Sequence, residues 1–165
     1  MTRAGGCLLA VLGLALAAST PAQENWRTFE GSWSATVRRD TLPTEGEREA
    51  AIIHLSGAVV LTSGEGLSRG FRGEAIGFDD GQNIRVGRSV WTDDRGERIF
   101  AALEGEALAT GRRTVGRVTG GTGRYEGLTG EFTLTWQYVV QAEDGTVQVR
   151  TTDLKGRYLP RSAAQ

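Results

Sequence analysis

Thr119-Gly120-Gly121-Thr122-Gly123-Arg124-Tyr125-Glu126-Gly127-Leu128-Thr129-Gly130 is the stretch on which the fold of this 165-residue chain turns. Five glycines in so short a span require backbone at positive φ or a close approach of the chain to something else. Strand-like segments flank the run on both sides. A phosphate-binding loop needs Gly-x-x-x-x-Gly-Lys-Ser/Thr opening a helix, and no such lysine follows. The dinucleotide fingerprint needs a glycine where Glu126 stands. The run therefore belongs to strand architecture rather than to phosphate chemistry.

The segments around it alternate with the period of a half-buried antiparallel strand. Phe132, Leu134, Trp136, Tyr138 and Val140 alternate with Thr133, Thr135, Gln137 and Gln141. Trp33, Ala35 and Val37 alternate with Ser32, Ser34 and Thr36. Gly66, Gly81, Gly96 and Gly111 recur every 15 residues, each in a turn-like cluster, and Asp144-Gly145 adds another. Asp-Gly between strand-like runs is a hairpin signal, and the spacing is too short for a strand–helix–strand unit. Eight strands are predicted: 31–40, 50–62, 67–78, 83–92, 97–108, 112–119, 130–142 and 146–159. Gly57 is expected to mark a bulge or a barrel corner. Asp40 to Arg48, with Pro43 and Gly46, reads as the longest polar loop. The fold class is all-β: a single eight-stranded antiparallel barrel, mostly a meander, whose closure removes exposed edges. A two-sheet β-sandwich is the alternative.

The residues Gly120, Gly121, Thr122, Gly123, Tyr125 and Gly127, followed by Gly130 and a strand, resemble the glycine signature of the allene oxide cyclase and dirigent barrel superfamily. The resemblance covers roughly 20 residues by motif, and the rest of the chain only by strand number and length. It implies an eight-stranded antiparallel barrel with an apolar central cavity. The family's chemistries, isomerisation of a fatty-acid-derived epoxide and steering of phenoxy radical coupling, map onto no residue of this chain. Phe29-x-Gly31-x-Trp33 is also similar to the opening motif of lipocalins, another group of ligand-holding barrels.

Residues 1–22 read as a secretory signal peptide. Arg3 gives a short positive start, Cys7 to Ala18 an apolar stretch, and Ser19-Thr20-Pro21-Ala22 the small residues before cleavage. The apolar stretch is well short of the roughly 20 residues that span a bilayer as a helix. Residues 23–165 then form one β-barrel domain, secreted or periplasmic, and the lone cysteine leaves with the signal. Thiol catalysis and thiolate metal sites are excluded from the mature domain. Its strands also lack the continuous apolar outer band of an outer-membrane barrel. With 19 Lys+Arg against 20 Asp+Glu, the chain has no basic excess for nucleic acid. Lys155 is the only lysine, and this arginine-rich usage fits a bacterial genome.

The pocket-lining candidates are Trp33, Glu74, Arg88, Trp91, Tyr125, Trp136 and Tyr138. Ligand pockets are mostly apolar with a few placed polar groups, which the strand aromatics suit. Glu74 and Arg88 are expected opposite each other about a hairpin centred on position 81. Inside a barrel they would orient a ligand or serve acid–base chemistry; outside they would be a cross-strand ion pair. His54, the only histidine, reads as structural. Asp79-Asp80 and Asp93-Asp94 lack the ligand spacing of a calcium loop and read as hairpin chemistry. No metal or other cofactor is expected, and no catalytic residue is identified. The leading expectation is binding of an apolar or amphipathic small molecule in the barrel. An isomerase or cyclase with a dry cavity, and a structural or envelope-interaction module, are the alternatives. A homo-oligomer is compatible with all three.

Overall fold

The computed structural model describes residues 25–82, 85–107, 112–143 and 146–160. Residues 1–22, read above as a signal peptide, Gly111 and Asp144-Gly145 lie outside the described residues. Eight strands follow in chain order: β1 Arg27–Thr44, β2 Arg48–Leu61, β3 Gly70–Asp79, β4 Arg85–Thr92, β5 Arg98–Ala107, β6 Arg112–Gly121, β7 Thr129–Gln141 and β8 Val147–Leu159. Each pairs antiparallel with the next, and β8 returns to β1, so the sheet closes as a meander barrel. The barrel, not the sandwich, is the fold.

Two expectations are corrected. The stretch Asp40–Arg48 is not mainly loop. β1 and β2 continue as a paired ribbon out to Thr44 and Arg48, and only three residues turn, with Gly46 and Glu47 at positive φ. β1 keeps β8 as its other neighbour only as far as Val37. Beyond that, no described residue pairs with this edge, and Pro43 is tolerated in the strand there. Gly57 marks no bulge either, because β2 runs through it in register with both neighbours. It is a point of close approach, where a Cβ would lie 1.9 Å from the Ser34 carbonyl oxygen.

The interior is built from alternating large and small side chains. Gly116, Phe132, Gly156 and Phe29 are successive cross-strand partners on β6, β7, β8 and β1. The two rings lie over the two glycines. A Cβ on Gly116 would stand 2.1 Å from the Phe132 ring, and one on Gly156 2.3 Å from the Phe29 ring. Trp91 packs on Phe132 with centroids 4.9 Å apart and meets Phe29 edge-on at 6.2 Å. Phe71, Tyr125 and Tyr158 complete this buried aromatic plug.

The glycine run closes the plugged end. β6 leads into a single 3-10 turn, Gly123–Tyr125, before β7 begins. Gly120 and Gly123 have φ of 146° and 57°, conformations that side chains disfavour. The turn drives Tyr125 into the barrel, where it is 1% exposed.

Candidate functional site

The two ends of the barrel are filled differently. The plugged end is stitched by one carboxylate. Asp93, in the β4–β5 hairpin, accepts hydrogen bonds from the Tyr125 hydroxyl (3.0 Å), from the Arg95 and Glu97 amides (2.8 and 3.0 Å), and from the Arg124 guanidinium. Arg124 also pairs with Glu97 at 3.1 Å and lies over the Tyr125 ring, 5.0 Å from its centroid. The Ser68 amide, from the β2–β3 loop, donates to the Tyr125 oxygen at 3.3 Å. Burial alone would raise the Asp93 carboxyl. The Arg124, Arg95, Glu97 and Tyr125 hydrogen bonds outweigh it and hold the group at about 2. Burial, helped by Asp93, pushes the Tyr125 phenol up to about 12. The Asp93 carboxylate and the Tyr125 hydroxyl are thus both satisfied by protein groups within this knot.

The other end is open. A cavity of about 460 Å³ enters the barrel there and reaches Trp33 and Trp136, whose rings meet with centroids 5.2 Å apart. That volume falls within the roughly 300–1,000 Å³ of small-molecule pockets. Its apolar wall includes Val37, Leu55, Leu103 and Leu134. The space arises at glycines that no aromatic covers. Gly77 and Gly87 are direct cross-strand partners in the wall, and a Cβ on Gly77 would meet only the Val86 carbonyl oxygen, at 3.4 Å.

The mouth is polar. Arg39 continues the inward alternation of Trp33, Ala35 and Val37, and Arg85 and Arg113 line the same space. Asp79 is the one carboxylate among the described lining residues. Its carboxylate accepts from the Gly81 amide at 2.9 Å and pairs with Arg85 at 3.0 Å. Arg85 runs past Gly105, where a Cβ would lie 3.0 Å from the Arg85 Cβ. Arg39 has no ion-pair partner among the described residues.

The seven sequence candidates separate into three places. Trp33, Trp136 and Tyr138 line the cavity, Tyr138 at the rim and 71% exposed. Trp91 and Tyr125 belong to the plug. Glu74 and Arg88 point outward and line a groove on the outer wall together with Arg38 and His54. They do not oppose each other. The β3–β4 register pairs Asp79 with Arg85, so Glu74 faces Val90 and Arg88 faces Ile76. The hairpin is centred one position later than the sequence suggests, and Glu74 pairs instead with Arg72 at 3.1 Å. Reading the sequence for sites missed Arg39, Asp79 and Arg85. An arginine standing on the apolar parity of β1 was the available signal for the first.

Comparison with solved structures finds the same barrel. The chain is similar to a pterocarpan synthase dirigent protein, with a TM-score of 0.52 at 9% identity, over 92% of this chain and 98% of that one. At that identity the likeness is one of fold, and the barrel is dirigent-like. No protein-family model and no curated protein matches the sequence.

Proposed function

We propose that this is an exported barrel that holds an apolar or amphipathic small molecule in its open half. The observation that carries the reading is the cavity of about 460 Å³, walled by Val37, Leu55, Leu103 and Leu134 and floored by Trp33 and Trp136. An apolar cavity of that size with few polar groups at one end is the form that small-molecule sites take. The dirigent-like fold is compatible with it. Export rests on the signal-like residues 1–22.

Binding without chemistry is the reading these residues support. The isomerase alternative would draw on Glu74, Arg88, Tyr125 and Tyr138, and these lie on the outer wall, in the plug and at the rim. An interaction role has one observation of its own. Ile52, Phe78 and Val86 form a cross-strand row on the outer wall and are 38%, 40% and 47% exposed. The surface test for that role is the sedimentation of Phe78→Glu against the native protein.

The binding test uses N-phenyl-1-naphthylamine, an uncharged probe that fluoresces in apolar pockets, and native mass spectrometry of protein taken from its own host. The native protein binds the probe. Gly77→Leu, which puts a side chain into the cavity, weakens the probe at least about tenfold, or ~1.4 kcal/mol. Protein that is always empty, with no probe uptake, would remove the reading.

A further inference from the structure

The polar side chains of the cavity are not scattered along its walls. They are gathered at the mouth, and they are unbalanced in charge. Arg39 and Arg85 stand on the inward faces of their strands at this end, against Asp79 alone. Arg85 is the arginine that Asp79 neutralises, at 3.0 Å. Arg39 is held on the inward face of β1 by the register Arg39↔Ile53, one step beyond Val37. Ile53 lines the cavity beside it. Arg39 stays exposed there, open to a ligand entering the mouth, and no carboxylate among the described residues compensates it.

From this we infer that the molecule held in the cavity is a soluble amphiphile with one anionic group, its apolar body inside and the anion at the mouth on Arg39. The inference rests on the cavity-binding reading above and adds the charge and orientation of the ligand. A guanidinium presents a planar fork of donors that fits a carboxylate or sulfonate oxygen pair, with charge-assisted hydrogen bonds roughly twice as strong as neutral ones. The apolar depth supplies burial, and the mouth supplies orientation and selectivity.

A matched pair of probes separates the two readings. N-phenyl-1-naphthylamine and 1-anilinonaphthalene-8-sulfonate share one ring system and differ by the sulfonate. Fluorescence titration of the purified protein is expected to give the sulfonate probe about tenfold tighter binding than the neutral one. Arg39→Gln abolishes that preference and leaves the neutral probe within twofold, which also reports that the variant is folded. Arg39→Lys retains most of the preference. Arg38→Gln, on the outward face of the same strand, changes neither probe. Equal binding of both probes, with Arg39→Gln altering neither, overturns the inference and leaves the cavity reading standing. An effect of Arg38→Gln as large as that of Arg39→Gln also overturns it, by placing the anion on the outer surface. Failure of both probes to bind removes the cavity reading and the inference with it.

Discussion

The plugged and open halves of the barrel are made by the same eight strands, and they use glycine in opposite ways. In the plugged half an inward glycine is a socket. Phe132 fills the space over Gly116, and Phe29 the space over Gly156. In the open half Gly77 has only a backbone oxygen at 3.4 Å beside its missing Cβ. A bare inward position is thus a packing device or a cavity wall according to whether a ring reaches across to it. Closure of the sheet does not by itself decide whether a barrel of this size is solid. The side chains facing one another through it decide that.

The sharpest way to break this comparison is to make the same change in both halves. Gly116→Ala drives a methyl to 2.1 Å from the Phe132 ring. The ring must leave its socket, with the plug repacking around it, so a loss of about 3 kcal/mol is expected. Gly77→Ala meets ordinary contact and lowers chain entropy in the unfolded state, so its effect stays within about 1 kcal/mol. Urea midpoints at constant slope measure both. Equal losses would mean that the open half is as tightly packed as the plug.

A second, smaller effect comes from the knot that closes the plug. Asp93 is held at about 2, below the ordinary unfolded value of about 3.9. Its contribution is therefore fully present above about pH 4 and is lost as pH falls towards 2. Asp93→Asn removes the charge that Arg124 and the Tyr125 hydroxyl share and is expected to cost roughly 2 kcal/mol at pH 7. The gap between variant and native protein narrows as pH falls through that window. Asp153 is also held low, where Thr151 and Thr135 hydrogen bonds outweigh burial, but it titrates alike in both proteins and cancels in the difference. A gap that stays constant from pH 7 to pH 2 would show that the Asp93 charge does not hold the knot together.

The plugged half was far more legible in the sequence than the open half. There the turn at Gly96 and the inward parity of Phe132 follow from turn chemistry and period-2 alternation, which also give the strand number of the whole barrel. The glycine run announced a tight strand-to-strand passage, and Tyr125 is buried by it. Alternation says which face of a strand is inward and nothing about what stands across the barrel, so the cavity was hidden. Arg39 was hidden too, because Arg38-Arg39-Asp40 reads as a solvated strand end. The ribbon beyond it was obscured by the loop-like Pro43 and Gly46. Glu74 and Arg88 show how much one residue of register matters. A hairpin centre shifted by one position turns an opposed pair into diagonal neighbours.

The smallest expected effect belongs to those two residues, and it tests whether the inside of the open half is where binding happens. Arg72 and Glu74 keep 67% and 46% of their side-chain surface in solvent. An ion pair so exposed contributes little, with a median of about 0–1 kcal/mol. Among the described residues Arg88 donates only to the carbonyl of its neighbour Gly87, at 2.9 Å. Glu74→Gln and Arg88→Gln are therefore expected to shift stability by no more than about 0.5 kcal/mol each. They also leave N-phenyl-1-naphthylamine affinity unchanged, because the wall of β3 and β4 separates them from the cavity. Isothermal titration of the double variant is the measurement. A clear loss of probe binding would place the ligand in the outer groove between His54 and Arg88, and the contrast between a solid and a hollow half would then describe packing alone.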